Sequence, residues 1–115
     1  MYNKSIIEDK SKKFAVRIIR LYKFLNEDKR EYVMSKQILR SGTSIGANVK
    51  EGEYAQSKAD FTSKMNIALK EAAETSYWLE LLVETDYITQ EQFESINSDC
   101  VELIKILTAI IKNSK

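Results

Sequence analysis

The stretch that decides the fold is Leu39-Arg-Ser-Gly-Thr-Ser-Ile-Gly-Ala-Asn-Val-Lys-Glu-Gly52. It contains all three glycines of the protein, Gly42, Gly46 and Gly52, in a chain of 115 residues that has no proline. A glycine-rich loop of this kind could bind phosphate. However, it lacks the P-loop spacing of glycine, lysine and serine or threonine, and no predicted β-strand precedes it. We therefore interpret it as a helix whose backbone comes very close to a neighbouring element.

The helical period continues through this stretch without a break. Core-facing positions alternate in steps of four and three residues, which is typical of a helix packed in a bundle: Met34, Ile38, Ser41, Ile45 and Asn48. Gly42 and Gly46 lie four residues apart on one face, where they permit close backbone approach. Each mid-helix glycine costs about 1 kcal/mol relative to alanine, so a packing gain should offset it. We expect Gly52 to end this helix in the left-handed conformation.

Three further segments show the same four-and-three alternation of apolar residues. Together they predict helices at approximately 6–25, 29–51, 58–84 and 90–112. We expect the second helix to start near Asp28 with Glu31 in its first turn, the third at Ser57, and the fourth at a capping box of Thr89 and Gln92. Because the connections are short, successive helices should be antiparallel. The chain is predicted to be one all-α, up-down-up-down four-helix bundle over residues 1–115.

The third predicted helix has more apolar positions than one core needs. One set of apolar residues forms its core-facing seam. A second set lies off this seam and includes Ile67, Tyr77, Trp78 and Leu81. A helix that is apolar on several sides needs burial on more than one face. We therefore expect self-association, with these four residues at the interface between copies.

Composition argues against an enzyme or a metal protein. The chain has no histidine, which removes the usual general base and the commonest zinc ligand, and its single cysteine, Cys100, falls on an apolar seam. We expect no cofactor and no metal. Since no stretch of the sequence resembles a signal peptide or a membrane span, we expect a cytoplasmic protein.

Polar residues at seam positions of the glycine-rich helix must find partners, because an unsatisfied buried polar group costs about 1–3 kcal/mol. We predict a network that fixes how the second and third helices pair, made of Arg40, Ser41, Ser44, Asn48, Glu51, Glu71 and Glu74. Clustered carboxylates could instead bind a metal. The simpler alternative is that these acids pair with Arg40, Lys64, Lys70 or a hydroxyl such as that of Ser44.

The first predicted helix carries a basic stripe that could neutralise phosphates of RNA or DNA. The stripe consists of Lys10, Lys13, Arg17, Arg20 and Lys23. The alternative is an ordinary solvated face. The charge is also uneven along the chain: residues 1–30 carry nine basic against four acidic side chains, and residues 61–88 carry two against five. This asymmetry fits packing between oppositely charged elements at least as well as it fits a nucleic-acid surface.

Two motifs resemble the signatures of a bacterial four-helix-bundle family whose founding members are encoded in intervening sequences of 23S ribosomal RNA genes. One is Gln37-Ile-Leu-Arg-Ser-Gly-Thr-Ser-Ile-Gly-Ala-Asn-Val-Lys-Glu-Gly52. The other comprises Asp60-Phe61, Lys64 and Ala68-Leu-Lys-Glu-Ala-Ala-Glu-Thr-Ser-Tyr-Trp-Leu79. The resemblance implies a four-helix protomer in a ring-like homopentamer, with no catalytic residues to transfer. The family is also similar to the accessory variability determinant of diversity-generating retroelements, which binds a reverse transcriptase and nucleic acid.

These observations predict a non-enzymatic, homo-oligomeric bundle that contacts structured RNA or DNA through its first helix. The alternative is a scaffold that binds a protein partner and makes no nucleic-acid contact. Neither hypothesis includes contact with a membrane.

Overall fold

The four predicted seams form the interior of one helical bundle. The computed structural model describes residues 4–114, with side chains from Ile6 onward, and contains α1 (Lys4–Glu27), α2 (Met34–Gly52), α3 (Lys58–Glu84) and α4 (Gln90–Asn113). The rest of the described chain is turn or coil, with no strand. Short connections reverse the chain between successive helices. The prediction of an all-α four-helix bundle is confirmed.

Each helix packs against two others, in the cyclic order α1, α2, α3, α4. The contact between α1 and α4 is the smallest of the four. Within residues 4–114, no Cα atoms of α1 and α3, or of α2 and α4, lie within 8 Å of each other, so these pairs are diagonal in the bundle. The bundle measures 44 × 21 × 19 Å. Its centre consists of fully buried seam side chains, each of which contributes about 1.5–3 kcal/mol by burial: Phe14, Ile18, Ile38, Ile45, Leu79, Leu103 and Leu107.

The start of α2 differs from the prediction by about five residues. We predicted a helix from about residue 29, but Arg30 has a left-handed backbone (φ 54°) and α2 begins at Met34. The Glu31 carboxylate accepts backbone N–H groups of Val33 and Met34, both at 3.1 Å, and of Ser35 at 2.7 Å. Glu31 therefore stabilises the helix from outside it, because its buried carboxylate meets the unpaired N–H groups of the first turn.

The starts of α3 and α4 agree with the predicted caps. Ser57 Oγ accepts the backbone N–H of Asp60 at 3.0 Å. Thr89 and Gln92 form the predicted capping box, with the Gln92 N–H donating to Thr89 Oγ1 at 3.1 Å and the Thr89 N–H donating to Gln92 Oε1 at 2.9 Å. These bonds satisfy donors that the helix itself cannot pair.

The prediction for Gly52 was wrong. It is the last residue of α2, but no glycine of the described chain has a positive φ. A Cβ on Gly52 would lie 2.6 Å from Met65 Cε on α3. Glycine is used here for space against the next helix and not for a left-handed turn.

Candidate interaction site

The glycine-rich helix contacts α1 through Gly42. A Cβ at this position would come within 2.7 Å of Ile18 Cγ1 and 2.8 Å of Ile18 Cγ2. At Gly46 the nearest atoms to such a Cβ are the carbonyl oxygen and Oγ of Ser11, both at 3.4 Å. Gly42 is thus required by close packing of α1 on α2, while Gly46 has nearly enough room for a methyl group.

The opposite side of α2 is joined to α3 by a buried hydroxyl pair. Ser41 Oγ and Thr75 Oγ1 are hydrogen-bonded at 2.9 Å, and both residues are 0% exposed. Thr75 Oγ1 also lies 2.7 Å from the carbonyl oxygen of Glu71. A buried polar pair of this kind favours one register of the two helices over others.

Beside this pair, Arg40 of α2 meets two carboxylates of α3. Its guanidinium donates to Glu74 Oε1 at 3.2 Å and to Oε2 at 3.0 Å, and it lies 3.6 Å from Glu71 Oε2. The indole N–H of Trp78 donates to Glu74 Oε2 at 3.0 Å. Glu71 Oε1 is buried and has no hydrogen-bond partner among the described residues. The group joins α2 and α3 by charge-assisted hydrogen bonds.

The other predicted members of the polar network lie apart from this group. Ser44 Oγ and Asn48 Nδ2 donate to carbonyl oxygens of their own helix, at 2.6 Å to Arg40 and 2.8 Å to Ser44. Glu51 Oε1 pairs with Lys64 Nζ at 3.2 Å. The structure therefore brings together Arg40, Ser41, Glu71 and Glu74, adds Thr75, and leaves Ser44, Asn48 and Glu51 outside, because local carbonyl and lysine partners are nearer.

Much of the predicted basic stripe on α1 is paired with acids of the same chain. Arg17 donates to Asp99 Oδ2 at 2.7 Å and to the carbonyl oxygen and Oγ of Ser95 at 3.2 and 3.0 Å. Lys10 lies 3.3 Å from Glu102, and Lys13 lies 3.1 Å from Asp9. Lys10 and Arg17 thus connect α1 to α4, where the helix contact is smallest.

Arg20 and Lys23 are exposed and form no ion pair within the described part of the chain. Arg20 lies at the edge of a groove of about 580 Å³ between α1 and α4, whose floor includes Leu21, Phe24 and Ile96. Only these two of the five predicted phosphate-binding residues keep an uncompensated positive charge.

The residues predicted to join copies lie on the outside of α3. Tyr77 is 53% exposed and Ile67 is 39% exposed, while Trp78 and Leu81 are half-buried. The rings of Tyr77 and Trp78 make an edge-to-face contact with centroids 5.4 Å apart. Aromatic side chains are enriched at protein interfaces relative to the rest of the surface.

A second exposed apolar site, on α1, was not predicted. Val16 and Ile19 are 39% and 40% exposed and point away from the core. Together with Lys12 and Lys23 they form a stripe along one face of the helix, in steps of four, three and four residues. The periodicity is visible in the sequence, but two apolar residues among so many basic ones do not stand out as an apolar face.

A model of the 23S rRNA-intervening sequence protein family matches residues 3–109. The chain belongs to this family. A crystal structure of a protein of unknown function from the S23 ribosomal protein family of Bacteroides thetaiotaomicron is similar to it, with 65% identity and a TM-score of 0.94. That similarity covers 95% of this chain and 97% of the other. No curated protein is significantly similar to the chain.

The single thiol of this family member is unsuited to nucleophilic chemistry. Burial raises the pKa of Cys100 to about 12, with a further small increase from the nearby Asp99 and a partial decrease from a backbone hydrogen bond at Ser76. Its Sγ donates to the carbonyl oxygen of Ala72 at 3.2 Å. A protonated, buried thiol acts as a small core side chain.

Within residues 4–114, no group of three or more histidine, cysteine or acidic side chains is arranged to hold a metal ion. The three carboxylates considered as a metal site instead have basic partners, Arg40 for Glu71 and Glu74 and Lys64 for Glu51. None of the four helices has an apolar stretch long enough to cross a bilayer.

Proposed function

We propose that this family member is a non-enzymatic, cytoplasmic helical-bundle protein that works as a homo-oligomeric scaffold. One observation carries the proposal: Tyr77 and Ile67 are exposed on a helix whose opposite side already fills the core. Single exposed apolar residues are common on protein surfaces. Here, however, they accompany a fixed Tyr77–Trp78 ring pair and half-buried Leu81 on the outer side of one helix, which favours a surface that another copy covers.

The chemistry of the side chains supports a scaffold more than a catalyst. The sequence has no histidine, and its one thiol has a pKa raised to about 12 by burial. The polar cluster of Arg40, Glu71 and Glu74 consists of mutually compensating charges that hold α2 on α3. The resemblance to the ring-forming proteins implies five copies.

The experiment is a mass measurement by light scattering on the wild type and on Ile67→Ser combined with Tyr77→Ser. We expect the wild type to exceed the chain mass of 13.3 kDa and the double variant to move toward the monomer, because the contact loses its apolar area. Lys70→Ser, an exposed change on the same helix, is the control and should keep the wild-type mass. Circular dichroism checks that each variant is folded. A wild type that is monomeric at every concentration contradicts the proposal.

RNA or DNA contact through α1 is the second candidate, and the free charge of Arg20 favours it. Arg20 is exposed without an ion pair among the described residues, and an oligomer would repeat it around the assembly. Such a repeated positive site can bind phosphates. The pairing of Arg17 with Asp99 and of Lys10 with Glu102 counts against a larger surface.

The test of this candidate must avoid Arg17, because its loss would also loosen α4. We would titrate ribosomal RNA into the wild type, Arg20→Glu and Lys105→Glu at two salt concentrations. Lys105 is exposed on α4 and gives the same change in charge. Specific contact predicts that salt weakens binding and that Arg20→Glu weakens it more than Lys105→Glu. Equal effects of the two changes, or no binding at low salt, would rule it out.

A further inference from the structure

The basic and the acidic segments of the chain do not pack on each other inside the bundle. The basic N-terminal segment forms α1 and the acidic segment 61–88 forms most of α3. Within residues 4–114 these helices occupy opposite corners of the bundle, and no Cα atom of one lies within 8 Å of a Cα atom of the other. The expected packing of oppositely charged elements therefore does not occur between α1 and α3 of one chain.

The outer face of α1 carries a narrow apolar stripe between two cations. The stripe runs Lys12, Val16, Ile19 and Lys23, in steps of four, three and four residues, and all four side chains are exposed. Neither lysine forms an ion pair with a described residue. Lys12 and Lys23 are eleven positions apart, so the stripe is about 16 Å long.

The outer face of α3 repeats the same spacing with the opposite charge. Ala73, Tyr77, Glu80 and Glu84 follow one another in steps of four, three and four residues, and all are exposed. Within the described ranges neither Glu80 nor Glu84 has a basic partner. Tyr77 offers the apolar surface, and Glu80 and Glu84, one helical turn apart, offer negative charge that complements a lysine at one end of the α1 stripe.

We propose that the α1 stripe of one copy packs on the α3 stripe of a second copy. Tyr77 then covers Val16 and Ile19, and Glu80 and Glu84 face the lysine at one end of the α1 stripe, which is Lys23 if the two helices run parallel and Lys12 if they run antiparallel. This inference rests on the proposed self-association and names the two surfaces that make it. Since the surfaces differ and lie at opposite corners, two copies joined in this way still have one free stripe of each kind between them. Such a head-to-tail contact adds copies until a ring closes.

Charge reversal tests this contact on the full chain. One variant combines Lys12→Glu with Lys23→Glu, a second combines Glu80→Lys with Glu84→Lys, and a third carries all four changes. Like charges placed across an interface should weaken self-association of each double variant at least about tenfold. The fourfold variant should recover it, because its charges are opposite again. Sedimentation velocity gives the association constants, and circular dichroism confirms that each variant is folded.

The control is Lys36→Glu with Lys105→Glu, which changes the net charge as much as the α1 variant does, at exposed lysines outside both stripes. It should assemble like the wild type. Assembly that survives both double reversals would overturn the proposed contact while leaving self-association intact. Disruption by the α3 reversal alone, without recovery in the fourfold variant, would indicate a symmetric α3–α3 contact and also overturn it. A monomeric wild type would contradict both this contact and the proposed function.

Discussion

Gly42 lies so close to Ile18 that a Cβ at position 42 would be 2.7 Å from Ile18 Cγ1. Ile18 is fully buried and cannot turn away without disturbing the core. The glycine-rich stretch is thus a helix that α1 approaches at van der Waals distance. We expect the same substitution at Gly42 and at Gly46 to change stability in opposite directions.

Gly42→Ala should destabilise the protein by about 1–2 kcal/mol, because overpacking against Ile18 exceeds the helix propensity that alanine adds. Gly46→Ala is the matched control. Its Cβ meets only Ser11 at 3.4 Å, so it should be neutral or stabilising by up to about 1 kcal/mol. Urea unfolding followed by circular dichroism, at equal protein concentration, gives both values. Gly42→Ala as stable as Gly46→Ala would contradict this packing.

The Ser41–Thr75 hydroxyl pair predicts non-additive effects. Thr75→Val should cost about 1–2 kcal/mol, since it leaves Ser41 with only the carbonyl oxygen of Ile38 at 3.5 Å. Ser41→Ala should cost less, because Thr75 keeps the Glu71 carbonyl oxygen. The double variant should lose less than the sum of the two. Thr62→Val, which removes a bond within α3 alone, serves as control, and strict additivity would show that the pair is not coupled.

Glu31 lies in the connection between α1 and α2, and we expect it to contribute to the free energy of unfolding. Glu31→Ala removes the acceptor of three backbone N–H groups and should lower the free energy of unfolding by about 1–2 kcal/mol. Glu31→Gln keeps one acceptor oxygen and should fall between this variant and the wild type. The same urea titration applies. Glu27→Ala, at an exposed position, should change stability by less than about 0.5 kcal/mol; an equal loss there would argue against a specific role for Glu31.

Cys100 gives a prediction for alkaline pH. Burial raises its folded pKa from 9.0 to about 12, so between these values the unfolded chain loses a proton that the folded chain keeps. The contribution of this group to the free energy of unfolding is fully present below pH 9 and decreases as the pH rises toward 12. Cys100→Ala should lack this component when unfolding is measured from pH 8 to 11. Native protein should also resist thiol reagents at pH 8 and react once unfolded; rapid reaction of the native thiol would contradict its burial.

The helices and their core faces could be predicted because the four-and-three spacing is a local property of the sequence. The start of α2 could not, since it depends on the left-handed Arg30 and on where the Glu31 carboxylate folds back. The pairing of Arg40 with Glu71 and Glu74 required the register of two helices, which Ser41 and Thr75 help to set. Arg17 shows the limit most clearly: the local pattern places it in a basic stripe, but its partner Asp99 is 82 positions away and follows only from the packing of α1 on α4.

Native mass spectrometry of the wild-type chain tests the central claim, self-association, most directly. The account predicts assemblies of two or more chains of 13.3 kDa each, with five copies implied by the family resemblance. These assemblies should dissociate into single chains on activation. A spectrum that contains only the 13.3 kDa species at micromolar concentration and above would contradict it.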